Sequence, residues 1–232
     1  MSSASSAPTV AVRHLQLVRA ALAAIAALMI TFSSDHSAPL GVGVFSGFAI
    51  VTGIVFFMSA WVVYPKGRRW PALTLGTLSV IAGMVGGFPA IRTTTMFFAL
   101  VIPWALATGV VEAIAGWRER AAAPAGSSRR SEARDALTVG VITIVFGVAL
   151  MFVPGQYLLR YYIAEAHQSF TLTGITIAVG IFGGYAAIVA VYLGIAGFSP
   201  RRPEIPASDA AGAPVSGVPD PSPADQIGRA HV

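Results

Sequence analysis

Six stretches of this chain are each long and apolar enough to cross a bilayer, and nothing else in the sequence restricts its fold so strongly. A spanning helix needs about 20 consecutive, mostly apolar residues. Stretches 15–33, 39–64, 70–91, 93–117, 136–159 and 169–199 meet that requirement. A bilayer offers no water to unpaired N–H and C=O groups, so such segments must be helices that bond internally. The expected fold is therefore all-α, an integral membrane six-helix bundle made of three helical hairpins. Charged residues make up only 11% of the chain, against about 25% in a typical soluble domain. That is too little charge to coat a water-facing surface. The 232 residues include no cysteine, which removes disulfide scaffolds and thiolate metal or redox sites.

The basic residues are sorted, not scattered. With six spans both termini share a side, and that side holds Arg13, Arg19, Lys66, Arg68, Arg69, Arg118, Arg120, Arg129, Arg130, Arg134, Arg201 and Arg202. The other side holds Arg92 and Arg160. Cations accumulate in cytoplasmic loops, so the expectation is a bacterial inner-membrane protein with both termini in the cytoplasm. Trp61, Trp70 and Trp117 fall at the same ends, where an interfacial aromatic belt belongs. The net charge of +5 is thus a topology signal, and nucleic acid is not an expected partner. The partners expected are the lipid bilayer and other membrane proteins, including further copies of the chain. Arg13 and Arg19 before Ala20–Phe32 also have the layout of a secretory signal. Pro39, just after the small-residue site at Ala38, disfavours cleavage, so the segment is read as an uncleaved first helix.

The flanks are expected to be separate from the bundle. Residues 1–14 read as a disordered tail, residues 15–199 as the transmembrane domain, and residues 200–232 as a Pro/Ala/Ser-rich disordered tail. The last six, Ile227–Val232, resemble a translated sequencing adapter, so they are read as artefactual. The loop Arg118–Asp135 reads as a flexible linker, from its Ala-Pro-Ala-Gly-Ser-Ser run between charged ends.

Small residues recur at related places. Leu73-Thr74-Leu75-Gly76 is followed by Gly83 and then Phe88-Pro89, and Leu137-Thr138-Val139-Gly140 by Gly147 and then Pro154. Seven residues is close to two helical turns, so Gly76 and Gly83 share a face, as do Gly140 and Gly147. Thr52-Gly53 precedes Trp61 as Thr108-Gly109 precedes Trp117, with Gly116 beside the second Trp. Gly194–Phe198 matches the residues up to Trp117, and Leu193 takes the place of Glu112. Gly43–Gly47 and Gly180–Gly184 have GxxxG spacing, which lets helices approach closely within or between chains.

This pattern resembles the HdeD-like family, six-helix membrane proteins built from a short hairpin repeat. Gly76–Pro89, then Gly109-Val110-Val111-Glu112 and Arg118-Glu119-Arg120, match its hairpin best. The first hairpin lacks spaced Gly in its odd helix, and the third lacks the acidic residue. The resemblance implies the fold and an association with bacterial acid or envelope stress. It implies no catalytic mechanism.

Glu112 is the one ionisable residue well inside a span, where charge is costly and marks a functional candidate. It stands close enough to Trp117 to pair with Arg68 or Arg118 near the headgroups. The competing role is solute or proton handling, with Thr108 and Thr143 completing an intramembrane polar site. A polar cavity lined by these three would favour a small-solute or proton-linked transporter or channel. A dry, Gly-packed centre would favour a non-enzymatic stress protein. On the outer side Asp35, His36, Glu165 and His167 are candidate pH-responsive residues, because His titrates near neutral pH. The bland reading of these four is solvated loop. Arg160-Tyr161-Tyr162 reads as an interfacial anchor. No catalytic motif, metal set or cofactor loop is found, and Gly41–Gly47 has the wrong spacing and context for a nucleotide loop.

Overall fold

The computed structural model describes residues 7–163 and 167–199. It is a six-helix bundle: α1 (Ala7–Thr31), α2 (Ala38–Val62), α3 (Trp70–Gly86), α4 (Thr94–Ala122), α5 (Ser128–Met151) and α6 (Gly174–Phe198). Five of the six are long and apolar enough to cross a membrane. α3 is the exception. Its 17 residues span about 25 Å at 1.5 Å per residue, and short 3-10 turns at Lys66–Arg68 and Pro89–Ile91 extend it at both ends. The expected third span, 70–91, therefore stops as a regular helix at Gly86. Gly87 and Pro89 end it, and Arg92 caps it, donating from Nε to Gly86 O at 3.2 Å and from a terminal nitrogen to Gly87 O at 3.1 Å. Those carbonyls have no helical partner of their own.

Hydroxyl caps start α4, α5 and α6. Thr93, Ser127 and Thr173 each accept a hydrogen bond from the backbone N–H three residues on, satisfying donors the helix leaves free. Asp35 sets the entry to α2, accepting from Ser37 N at 2.9 Å and from Ser37 Oγ at 2.7 Å.

Three expectations about boundaries change. α1 begins at Ala7, ahead of residue 15. The linker at Arg118–Asp135 is mostly helix: α4 continues to Ala122 and α5 starts at Ser128. Arg, Glu and Ala favour helix; Glu119 ties the two extensions together through Arg129 and is held to the turn before α3 by Arg68 at 2.6 Å. Charge there marks the end of the apolar stretch and not the end of the helix. The third change is an antiparallel hairpin, β1 (Leu158–Ile163) paired with β2 (Gln168–Thr173), with Leu158 opposite Thr173 and Tyr161 opposite Phe170. Spans 136–159 and 169–199 include its ends, because Leu158, Leu159, Phe170 and Leu172 are apolar whether in strand or helix, while the neighbouring Tyr and Thr favour strand. The surplus length of the sixth span is strand. The expected tail 200–232, with Ile227–Val232, lies outside the described residues, as does Glu165.

The helices form a ring. The closest-packed pairs are α4 with α5, α1 with α6, and α2 with α3, and looser contacts join α3 to α4, α1 to α2 and α5 to α6. The hairpins α1–α2, α3–α4 and α5–α6 are present, but the tight pairs are the alternate ones. Glycine decides which. A methyl group on Gly53 would lie 2.9 Å from Gly76 O, and one on Gly109 would lie 2.9 Å from Gly140 O. One on Gly116 would lie 2.7 Å from Ala133 O, and one on Gly83 would lie 2.8 Å from Ser46 O. Gly147 meets Ala105 at 3.1 Å. Of the expected packing glycines, Gly76, Gly83, Gly109, Gly116 and Gly140 therefore hold backbones in contact, and Gly147 packs on side chains of α4. Gly180 and Gly184 do not, since nothing lies within 4 Å of a methyl at either. Their spacing places them on the outward side of α6, while Gly183 takes the inward one against Ile30.

Candidate functional site

The glycine contacts set a register that relates the three tight pairs. Gly109 faces Gly140 as Gly53 faces Gly76, and Gly197 stands over Leu17 as Gly116 stands over Leu137. In this register Ala20 and Ala27 of α1, both buried, take the places of Gly76 and Gly83. The spaced small residues that seemed missing from the first helix are alanines.

The same register sorts the bundle axis into layers. One layer holds Phe56, Glu112 and Leu193 from the even helices with Arg19, Leu75 and Val139 from the odd ones. The next holds Thr52, Thr108 and Val189 with Ala23, Ser79 and Thr143. Beyond these come Phe48, Trp104 and Tyr185, then Phe45, Val101 and Phe182. Except for Arg19 and Phe48, which are partly exposed, every residue in these layers is buried. Three equivalent helix pairs thus converge on one axis, and their side chains differ most in the layer that carries charge.

There Arg19 and Glu112 meet at 2.8 Å, with side-chain exposures of 14% and 8%. The guanidinium also lies over the Phe56 ring, 4.6 Å from its centroid, a favourable placement for a cation over an aromatic face. The expected partners, Arg68 and Arg118, are not the ones used. α1 and α4 stand opposite each other in the ring, so the pair reaches across the axis from one side to the other. Arg19, which the sequence places among the loop cations, belongs to the interior.

Two cavities adjoin this layer. Toward the end carrying the basic loops lies a vestibule of about 340 Å³. Its floor is Arg19, Phe56, Glu112 and Leu193, and its rim carries Arg68, Arg118, Glu119, Arg129, Glu132 and Asp135. The rim is knitted together: Gln16 Nε2 donates to Asp135 at 3.0 Å and Tyr192 Oη donates to it at 3.2 Å, joining α1, α5 and α6. On the other side of the pair is an axial cavity of about 30 Å³, lined by Thr52, Ser79, Trp104, Thr108, Thr143 and Tyr185 among others. Thr108 and Thr143 donate to Trp104 O at 2.6 Å and Val139 O at 2.8 Å. Thr143 Oγ1 also meets Tyr185 Oη at 3.1 Å, and Trp104 Nε1 donates to Ser79 Oγ at 3.2 Å. Past this cavity the axis is closed by rings: Phe45 packs edge-on to Trp104 and Phe182, and Phe146 stacks on Tyr185 with centroids 4.3 Å apart.

The structure therefore brings Glu112, Thr108 and Thr143 to one cavity, as the polar-site expectation required, but that cavity has room for a single water-sized group. Arg19, Ser79, Thr52 and Tyr185 complete the site and were missed. Hydroxyls in apolar helices carry almost no hydropathy signal, and only their four-residue spacing from Thr108, Glu112, Leu75 or Thr143 equivalents places them on the axis.

The outer candidates are not assembled. Asp35 and His36 line an open polar basin with Thr93, Thr94, Thr171 and Thr173. His167 is elsewhere, at the turn of the β-hairpin with φ 49°, within 3.5 Å of Tyr162 Oη. Asp35 is engaged by Ser37 at the entry to α2. Tyr161 and Tyr162 are exposed on β1. Among the described residues no three His, Asp or Glu side chains come together as a metal site needs. Comparison with protein-family models, with curated proteins and with solved structures found no match.

Proposed function

We propose that the chain is a non-enzymatic multi-pass protein of the bacterial inner membrane, HdeD-like in type and tied to envelope or acid stress, acting through a vestibule that faces the cytoplasm. The observation that carries this reading is how the axis ends. About 340 Å³ of cavity narrows onto Arg19 and Glu112, and beyond them about 30 Å³ remains beneath packed aromatic rings. A cavity of that shape receives and releases a small molecule or a partner's side chain on one side only. The basic loops at its rim support a cytoplasmic mouth. The threefold register of small residues supports the HdeD-like assignment. Lipid surrounds the bundle, and other membrane proteins, including a second copy, are the partners this reading expects.

The test is genetic. Deleting the gene should lower survival after acid or envelope challenge, and the wild-type gene should restore it. Ala136→Trp, which fills the vestibule wall, should not. Equal survival of deleted and wild-type cells would remove the stress assignment. Alkaline phosphatase fused after Asp35 or Arg92 should be active, and inactive after Ser199. The reverse pattern would turn the vestibule outward.

A second reading, a small-solute or proton-linked transporter or channel, is favoured by one specific observation: Thr108, Glu112 and Thr143 share the axial cavity. Proton flux into dye-loaded proteoliposomes that is lost in Glu112→Gln would establish it over the first.

A further inference from the structure

Two polar atoms on the axis are buried without a protein partner, Arg19 Nε and Thr52 Oγ1. Both side chains line the axial cavity of about 30 Å³. A buried donor or hydroxyl left unsatisfied costs about 1–3 kcal/mol, and native proteins rarely leave two such groups side by side. The remaining hydroxyls narrow the choice of ligand. Thr108 donates to a backbone carbonyl, and Thr143 is held by Val139 O and Tyr185. Ser79 accepts from Trp104, so its own proton can still be donated. The cavity thus presents an N–H that needs an acceptor, a hydroxyl proton that can use one, and a threonine oxygen able to give or receive. A water needs about 10–15 Å³ of probe-occupied space and two to four polar partners.

We propose that the axial cavity is a binding site for one water molecule, held by Arg19 Nε and Thr52 Oγ1 with Ser79 as third partner. The water hydrates the Arg19–Glu112 pair from the side away from the vestibule, so the charged layer is solvated on both faces; Trp104 borders the water, while the Phe45 and Phe182 rings beyond it remain dry. It also explains why Thr52 and Ser79 stand at equivalent heights on α2 and α3: a hydroxyl from each helix is needed to give the water its partners. A small anion is the competing occupant. Glu112 in the same wall disfavours it, since the pair is already neutral and an added anion would bring uncompensated charge into a buried site.

X-ray hydroxyl-radical footprinting of the whole protein in nanodiscs tests this, because radicals form at bound water and mark the side chains beside it. Trp104 is buried, so it should be labelled on the millisecond timescale only if water reaches it internally. Thr52→Val, which keeps the shape and removes the hydroxyl, should cut that labelling at least threefold and lower the Tm; Thr52→Ser should keep both. If Thr52→Val does not accumulate, Thr52→Ala is read in its place. An unlabelled Trp104 in the wild type overturns the proposal. So does a Thr52→Val protein with unchanged labelling, or with an equal or higher Tm, the result of removing an unsatisfied hydroxyl from a dry site. A wild-type Tm that rises when gluconate is replaced by chloride overturns it in favour of an anion.

Discussion

Arg19 and Glu112 join helices that stand on opposite sides of the ring, so the pair closes the bundle across its axis. Removing one member of a buried pair leaves the other charge uncompensated, at a cost of about 3–5 kcal/mol, whereas replacing both by apolar residues of similar volume is often neutral. Glu112→Leu should therefore lower the thermal stability of the purified protein sharply, and Arg19→Met should do the same. The double variant should recover most of the loss, because Leu75, Val139 and Leu193 already show what the layer accepts at equivalent positions. Thermal unfolding of the four proteins in one detergent checks this. A double variant no better than the worse single one would mean that the charges act separately. Glu112 was legible in the sequence because a carboxylate inside an apolar run is conspicuous. Its partner was not, because Arg19 lies so near the start of its stretch that it reads as a loop cation. The basic loops at the same membrane face also point to Arg68 or Arg118, while the choice is made by the register of α1 against α6, which no single stretch reveals.

At the level of the elements, the spacing of small residues was readable and its assignment to partners was not. Gly76, Gly83, Gly109, Gly116, Gly140 and Gly147 all hold backbone against backbone or side chain, as the seven-residue spacings implied. GxxxG at Gly180–Gly184 has equally good spacing and no neighbour. Spacing fixes a shared face, but only the bundle says whether that face turns inward. Gly140→Leu should accordingly force α4 from α5, since even a methyl there would lie 2.8 Å from Gly109 O. The expected loss is about 1–3 kcal/mol or more, the usual penalty for overpacking. Gly180→Leu and Gly184→Leu should leave the unfolding free energy of the isolated chain within about 0.5 kcal/mol of wild type, the range of substitutions away from packed features. Equal losses at Gly140 and Gly184 in unfolding experiments would contradict this packing. Other elements were misjudged for physical reasons. The Arg- and Glu-rich extensions of α4 and α5 read as linker because hydropathy ends where the headgroups begin, while helix propensity does not. The ends of the β-hairpin were merged into the flanking spans because Leu158, Leu159, Phe170 and Leu172 satisfy a hydropathy window as well as helical residues would.

At the scale of the whole molecule the three helix pairs leave an axis that is open at one end and closed at the other, and accessibility tests that asymmetry directly. The chain has no native cysteine, so single cysteines report without background. Gly67→Cys, Ala122→Cys and Ala136→Cys, all in the vestibule wall, should react with a membrane-impermeant maleimide added to inverted vesicles, in which the cytoplasmic face is outward. They should be protected in intact spheroplasts. Phe45→Cys and Phe182→Cys, fully buried where the rings close the axis, should stay unmodified in both preparations. Ser34→Cys, at the outer basin, should give the opposite pattern to the vestibule and so calibrate sidedness. A continuous pore would bring reagent to residues 45 and 182 from at least one side. An alternating transporter would label them from one side in one state and from the other side in another. Ring positions that resist reagent from both sides, above a vestibule that reacts from one, are what a one-sided receptor requires. Labelling at residue 182 would instead assign the axial cavity to transport.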